Sequence, residues 1–213
     1  MKNPPSNDQQ IISYLHLRML IGMCGIVLPL SCMFYAFVLG HELQDSVSDF
    51  YYTDVRNIFV GILFVLGFFL LTYKGYEPID SRFANAGFYF ALGVALFPCK
   101  GDYGYIHFIS AFLLFSVFIF FSLRLFTLSV EKRGHTPEVD KRNRVYVACG
   151  WIMVACIVLI GTTFAIYDLE EIRLAYNTTF WFETIALISF AVSWLTKGRF
   201  YNEAKKTVKK VIK

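Results

Sequence analysis

The stretch VYVACGWIMVACIVLIGTTFAIY, residues 145–167, runs for 23 residues without Asp, Glu, Lys or Arg. The basic run KRNR (141–144) precedes it and the acidic run DLEE (168–171) follows it. Because a helix rises about 1.5 Å per residue, this stretch is long enough to cross a hydrocarbon core of about 30 Å. It lacks the two-residue alternation of barrel strands, and a bilayer leaves no backbone polar group unpaired. The sequence therefore predicts a transmembrane helix.

Five further stretches have the same character, the last interrupted only by Glu183. We predict an all-α, polytopic membrane protein with six transmembrane helices in one bundle. The predicted helices cover residues 17–40, 50–73, 83–98, 104–127, 145–167 and 176–196. With 56% hydrophobic residues and a mean hydropathy of +0.52, the chain is more apolar than a soluble domain. Its 213 residues indicate a single domain, 1–213, with a short basic tail at 197–213.

Alternate connections carry opposite charge. The segments 1–18, 74–82, 124–144 and 197–213 hold 17 of the 20 basic residues. The other connections hold only Arg56, Lys100 and Arg173, together with nine acidic residues counting Glu183. Since basic residues near helix ends remain on the cytoplasmic side, both termini are predicted to be cytoplasmic and the acidic loops external.

The net charge of +4 does not predict a nucleic-acid partner. The basic residues stand next to helix ends and in the tail, where anionic lipid headgroups are the simpler partner. Membrane lipids are therefore the expected partners, with a membrane protein as a further one. The tail lysines are Lys205, Lys206, Lys209, Lys210 and Lys213.

Small residues and cysteines have structural interpretations. Helix 3 carries a stripe of small residues at spacings of three and four, which permits close helix approach and predicts the most enclosed helix. The stripe is Ala84, Gly87, Ala91 and Ala95. Four cysteines lie within predicted spans and form no CxxC pair, so we expect them to be buried apolar side chains, whereas Cys99 approaches the outer face.

Two ionisable residues are predicted to lie below the outer membrane surface. Glu183 stands 14 residues before Lys197 and His107 stands 17 before Arg124. At about 1.5 Å per residue these offsets are roughly 21 and 25 Å. An ionisable group within the hydrocarbon is costly and marks a functional site by default.

Polar neighbours at helical spacing extend this candidate site. Asp54 with Asn57, His107 with Ser110, and Thr179 with Glu183 each share a helix face. We predict a ligand-binding pocket near the outer leaflet from three helices and the preceding loop. Its residues are Asp49, Asp54, Arg56, Asn57, His107, Ser110 and Glu183. Ser46 with Asp49 resembles a capping box, and a helix that starts there would present its N-terminus to a phosphate.

Structural roles compete with these assignments. Arg56 is equally well explained as one half of an ion pair with Asp54, Asp49 or Glu183 that fixes the helices. His107 is more often a hydrogen-bonded interfacial residue than a ligand.

A catalytic interpretation is also open. Two histidines and a carboxylate, His41, His107 and Glu183, match the ligand types of a catalytic zinc site, although they follow no recognised spacing. This set predicts, as the alternative function, a metal-dependent lipid hydrolase embedded in the membrane. Whether the chain is an enzyme is left open, and no cofactor is expected outside that alternative.

Three blocks carry a resemblance. SVSDFYYTDVRNIFVGILFVLGFFLLTYKGY (46–76), FALGVALFP (90–98) and IHFISA (106–111) resemble small bacterial multi-pass inner-membrane proteins of unknown function. The resemblance covers most of the chain and implies an inner-membrane location, but it does not indicate any particular activity. The polar Ser, Asp and His residues at helix ends resemble, more faintly, the CREST superfamily of membrane hydrolases and receptors. This chain has six predicted helices instead of seven and no late HxxxH pair, so that family's zinc site is not transferred. The leading prediction is a bundle that binds a lipid, a small amphiphile or a partner protein.

Overall fold

The computed structural model describes residues 14–75, 77–131, 137–166 and 169–198, and within these ranges it is helical without strands. Residues 199–213 of the predicted basic tail and the first 13 residues lie outside them, whereas Lys197 is the last residue of a helix. Four helices are long and apolar enough to cross a membrane, as the sequence predicts for membrane spans. They are His16–Val38, Gly104–Leu128, Pro137–Ala165 and Thr178–Lys197.

The remaining two predicted spans are helices that do not reach the same combination of length and apolar composition. Arg56–Thr72 is apolar but has only 17 residues, and Pro78–Leu96 has 19 residues and begins with Asp80 and Arg82 in its first turns. The prediction of six membrane crossings therefore stays a prediction.

The described residues form eight α-helices, and two of these helices continue through a π-helical turn. In chain order the α-helices are α1 Tyr14–Met33, α2 Arg56–Thr72, α3 Pro78–Leu96, α4 Gly104–Phe120, α5 Phe126–Glu131, α6 Pro137–Ala165, α7 Glu170–Ala175 and α8 Thr178–Lys197. The π-helical turns Phe34–Val38 and Phe121–Leu125 extend α1 and join α4 to α5. A 3₁₀ helix, Ser48–Tyr52, precedes α2.

Several helix ends differ from the predicted ones. The α3 helix begins at Pro78 instead of residue 83, because Glu77 and Asp80 form a reciprocal capping box and proline is favourable in the first helical turn. The α6 helix begins eight residues before its apolar stretch, at Pro137. The predicted start of helix 2 at residue 50 is wrong, since a 3₁₀ turn and a break precede Arg56. The short α7 helix was not predicted.

The six long helices form a closed ring in the order α1, α2, α3, α4, α6, α8. Packing is extensive between neighbours around most of this ring and sparse between α4 and α6. The small-residue stripe of α3 is buried, as predicted. Yet α3 is not the most enclosed helix, because 11 of the 20 residues of α8 are buried against six of the 19 in α3.

Glycines allow α1 to lie close to α8. A Cβ atom at Gly25 would stand 2.6 Å from Phe190 Cδ1 and 3.0 Å from the carbonyl oxygen of Leu187. The contact continues one turn away, where Gly22 faces Leu195. These glycines hold α8 against α1 and thereby fix the position of Glu183, which lies one turn before Leu187.

Aromatic side chains fill the end of the bundle near residues 73–75, called here the basic end. Trp194 is fully buried and has the rings of Phe121, Phe126 and Tyr73 at centroid distances of 5.0, 5.1 and 5.2 Å. The cation of Lys197 is also buried, with Nζ 3.2 Å from the carbonyl oxygen of Phe126. This end is densely packed.

The seam between α4 and α6 closes at the basic end and opens at the other. At the basic end Gly150 of α6 packs directly on Leu123, where a Cβ atom would overlap the leucine. Gly161 lies eleven residues later, about three turns along the same face of α6. A Cβ atom at Gly161 would meet nothing within 4 Å. The two helices therefore diverge towards the end that carries the loop 39–55, the 97–103 turn and α7, called here the acidic end.

Candidate functional site

The loop 39–55 folds over the acidic end because its apolar side chains insert into the bundle. Phe50 is fully buried and Val47 is 3% exposed. The carbonyl oxygen of Asp45 accepts the N–H of Phe180 at 2.9 Å, which fastens the loop to the first turn of α8. The loop thus forms a roof next to Glu183.

Asp49 organises the roof. Its backbone N–H donates to Ser46 Oγ at 3.0 Å, as a capping box requires, and the Ser46 hydroxyl donates to Asp49 Oδ2 at 2.9 Å. The other carboxylate oxygen lies 2.6 Å from Lys100 Nζ and accepts the Cys99 thiol at 3.6 Å. Asp49 is only 7% exposed, so this carboxylate ties the roof to the turn between α3 and α4.

Glu183 faces the same roof from α8. Its Oε2 accepts the backbone N–H of Val47 at 2.7 Å. The amides of Val47 and Asp49 are therefore already hydrogen-bonded to Glu183 and Ser46. The predicted phosphate site at this turn is wrong, because its first N–H groups have protein partners.

A cavity of about 510 Å³ lies under the roof, in the open part of the α4–α6 seam. Its polar side is formed by the roof, the 97–103 turn, α7 and α8, and its apolar side by α4 and α6. The polar and charged lining residues include Asp45, Ser46, Ser48, Asp49, Lys100, Arg173, Thr179 and Glu183. The apolar lining residues include Phe108, Phe112, Phe115, Ile157, Ile160 and Phe164.

The cavity opens sideways, between the helices. Phe108 and Phe112 of α4 are 55% and 57% exposed, and Phe164 of α6 is 54% exposed, although all three line it. Both helices are long and apolar enough to cross a membrane. The opening of the cavity therefore lies on an apolar outer surface of the bundle.

Two cations stand at the polar side. The Asp49 carboxylate, which accepts a hydrogen bond from Lys100 Nζ, raises the pKa of Lys100 above its ordinary value. The Lys100 backbone N–H donates to the Tyr52 hydroxyl at 2.9 Å, which holds the turn against the roof. Arg173 of α7 has its guanidinium carbon 4.4 Å from the centre of the Phe164 ring and Nη2 3.5 Å from Glu170 Oε1.

Cys99 is buried beside Asp49 in the turn between α3 and α4. Burial, followed by the adjacent Asp49 carboxylate, raises the pKa of this thiol from 9.0 to about 12. The other four cysteines are buried, as predicted.

The structure brings together part of the predicted pocket. Asp49 and Glu183 line the cavity. His107 and Ser110 are buried behind it on α4, where His107 Nδ1–H donates to the carbonyl oxygen of Phe97 at 2.9 Å and Ser110 packs on Gly93 of α3. The hydrogen-bonded role of His107 is thus the one that the structure shows.

The other three predicted residues do not face the cavity. Asp54, Arg56 and Asn57 are exposed at the start of α2. Arg56 donates from Nη2 to the Tyr51 hydroxyl at 2.6 Å and lies over the Tyr51 ring. No described carboxylate lies within 4.0 Å of Arg56, so the alternative of an ion pair with Asp54, Asp49 or Glu183 is not formed.

The proposed zinc ligands are not assembled in the described part of the chain, where no three His, Cys, Asp or Glu side chains are grouped for a metal. His41 is exposed and stacks on Tyr35 at a centroid distance of 4.0 Å. It does not join His107 and Glu183.

Sequence reasoning missed Lys100, Arg173 and the space beside Gly161. Both cations belong to short connections that read as solvated surface. The charge pattern could have indicated these two residues, since Lys100 and Arg173 are two of the three basic residues in the otherwise acidic connections.

Comparisons of this chain with protein-family models, with curated proteins and with solved structures find no match.

Proposed function

We propose that this chain is a multi-pass membrane protein that binds a lipid or similar amphiphile in the α4–α6 cavity. The observation that carries the proposal is the division of one sideways-opening cavity into a polar side and an apolar side. Its volume of about 510 Å³ is in the range of ligand pockets, about 300–1,000 Å³. Charged residues at membrane depth usually serve a ligand or pathway.

The proposed topology has six crossings, with both termini cytoplasmic, in the inner membrane of the cell. It is supported by the basic residues next to the α2–α3 connection and by the acidic residues of the roof. Under this topology the cavity lies in the outer leaflet.

Labelling of single cysteines tests the topology. Glu42→Cys and Asp102→Cys lie at exposed positions of the acidic end, and Glu138→Cys lies at an exposed position near the start of α6. A membrane-impermeant maleimide is expected to label the first two in intact cells and the third only after permeabilisation. Labelling of Glu138→Cys in intact cells would show that the orientation is opposite to the proposed one.

Filling the cavity tests the function. Gly161 lines the cavity and a Cβ atom there would meet nothing within 4 Å, so Gly161→Phe is the substitution chosen to fill the cavity. Gly61 of α2 is the matched control, because it also has open space at Cβ and does not line the cavity.

Lipid that remains on the protein in mild detergent is then measured by mass spectrometry. The wild type and Gly61→Phe are expected to retain the same lipid, and Gly161→Phe to lose it by about tenfold, which corresponds to about 1.4 kcal/mol. Equal lipid content in all three proteins would contradict the proposal. The hydrolase alternative has no supporting observation among the described residues.

A further inference from the structure

The polar side of the cavity has an unusual charge composition. Five charged residues line it: Asp45, Asp49, Lys100, Arg173 and Glu183. Three are acidic and two are basic, so the lining carries a formal charge of −1. A wholly anionic headgroup would add negative charge to a site that is already negative, in a medium that screens charge poorly.

One pair cancels within the lining. Lys100 Nζ and Asp49 Oδ1 are 2.6 Å apart, and Asp49 is buried. The charged lining residues outside this pair are Arg173, which also lies 3.5 Å from Glu170 Oε1, and the carboxylates of Glu183 and Asp45.

One hydrogen-bond donor of the Arg173 guanidinium has no partner among the described residues. Its side chain is 13% exposed, and its Nη2 reaches Glu170 at 3.5 Å. Its Nε is buried without a hydrogen-bond partner in the described part of the chain. Arginine only donates, so the missing partner is an acceptor such as a phosphate or carboxylate oxygen. Thr179 is 5% exposed and lines the same cavity, and its hydroxyl likewise has no partner there.

The carboxylates call for the opposite chemistry. Glu183 Oε2 accepts the N–H of Val47. When the oxygen and nitrogen of the Asn177 side-chain amide are exchanged, the nitrogen donates to Asp45 Oδ1 at 3.1 Å. Neither contact neutralises a charge. A cationic group on the ligand would do so, and a charge-assisted hydrogen bond is stronger than a neutral one.

The carboxylates of the lining favour one kind of cation, and one of its four phenylalanine rings is already covered by a cation. Quaternary ammonium groups are bound by the faces of aromatic rings. Phe164 is the lining ring next to Arg173, and the guanidinium occupies its face at 4.4 Å. Hydrogen-bonding carboxylates, as at Glu183 and Asp45, instead suit an ammonium group that carries hydrogens.

On the basis of the proposed binding function, we propose that the occupant is a lipid with a zwitterionic headgroup of the phosphoethanolamine type. The phosphate lies against Arg173 and Thr179, and the primary ammonium against Glu183 and Asp45. The acyl chains lie along the phenylalanine and isoleucine side chains of α4 and α6.

The test is a titration of delipidated protein in detergent, followed by native mass spectrometry. The probes are phosphatidylethanolamine, phosphatidylcholine and phosphatidylglycerol with identical acyl chains, and water-soluble glycerophosphoethanolamine. Phosphatidylethanolamine is expected to bind the wild type about tenfold more tightly than either other lipid. The soluble headgroup is expected not to displace it, because it lacks the chains.

Two variants locate the contacts. Arg173→Gln is expected to weaken binding of phosphatidylethanolamine about tenfold or more, as for loss of a charged hydrogen bond. Glu183→Gln keeps an acceptor for Val47 and is expected to abolish the preference over phosphatidylcholine. Matched controls are Arg56→Gln and Glu42→Gln, at exposed positions of the same end outside the cavity. Neither control is expected to change the ranking.

The wild-type ranking needs no variant, so it tests the proposal even where a substitution prevents folding. Equal affinities for the three lipids, or preference for phosphatidylglycerol, would overturn the headgroup assignment. If Gly161→Phe still abolished lipid binding in that case, the cavity would remain the binding site. Binding unaffected by Gly161→Phe would overturn the cavity function itself. Full displacement by glycerophosphoethanolamine would overturn a lipid as the occupant.

Discussion

Replacing Asp49 by alanine should loosen the roof of the cavity. The substitution removes the acceptor of the Ser46 hydroxyl, the partner of Lys100 Nζ and the weak acceptor of the Cys99 thiol. Because Asp49 is 7% exposed, water cannot simply replace these contacts. The roof and the 97–103 turn lose their shared anchor.

The size of the effect follows from the exposure of each partner. A hydrogen bond to a charged group contributes about 1.5–3 kcal/mol. The Lys100 side chain is 64% exposed, so its pair with Asp49 adds at most about 1 kcal/mol. We expect Asp49→Ala to lower the free energy of unfolding by about 2–4 kcal/mol. By the same reasoning Lys100→Ala should cost about 1 kcal/mol or less.

Unfolding in mixed micelles with increasing SDS, followed by tryptophan fluorescence, measures these differences. Asp54→Ala is the control: Asp54 is exposed at the same end and should change stability by less than about 0.5 kcal/mol. A loss for Asp49→Ala no larger than for Asp54→Ala would refute the role of the roof anchor. A loss for Lys100→Ala equal to that for Asp49→Ala would show that the ion pair, and not the Ser46 contact, carries the energy.

Two further predictions concern packing and ionisation. Gly25→Ala should destabilise the protein by about 1–3 kcal/mol, because the added methyl group overpacks α1 against α8. Gly61→Ala should stabilise it by about 0.5–1 kcal/mol. Equal changes in stability for the two variants in the same SDS titration would contradict the close contact at Gly25. Because the pKa of Cys99 is raised from 9.0 to about 12, its thiol should resist maleimide up to about pH 10 in a variant that keeps only this cysteine. The contribution of Cys99 to the free energy of unfolding should fall as pH rises from 9 to 12, because the thiol ionises at lower pH in the unfolded chain. Asp49→Asn should speed the labelling at pH 9, and rapid labelling of the folded parent protein at pH 8 would count against the burial of Cys99.

Hydropathy predicted the helical fold because long apolar stretches have few alternatives. It located helix ends poorly, since it marks only the apolar part of a helix. The α6 helix extends into the polar residues from Pro137, and α3 extends back to Pro78. The proline after Glu77 and the acid at position 80 were the local signals for the second case.

The candidate site was predicted in part for a similar reason. Helical spacing shows which residues share a face, but not which face turns inward. Asp54 precedes α2 and Asn57 lies in its first turn, and both are exposed, whereas Thr179 and Glu183 of α8 line the cavity. Arg173 reaches the cavity only because α7 folds next to the seam, which is a tertiary contact that no local pattern encodes.

The aromatic packing of the basic end provides an optical label for the interior of the bundle. Of the three tryptophans, Trp151 and Trp181 are 61% and 40% exposed on the outer surface, whereas Trp194 is fully buried. A quencher carried on lipid acyl chains, such as bromine, touches the first two indoles and is kept from the third by the surrounding rings. The emission that survives in brominated lipid therefore comes from Trp194 alone and monitors the closed end of the seam without any added dye.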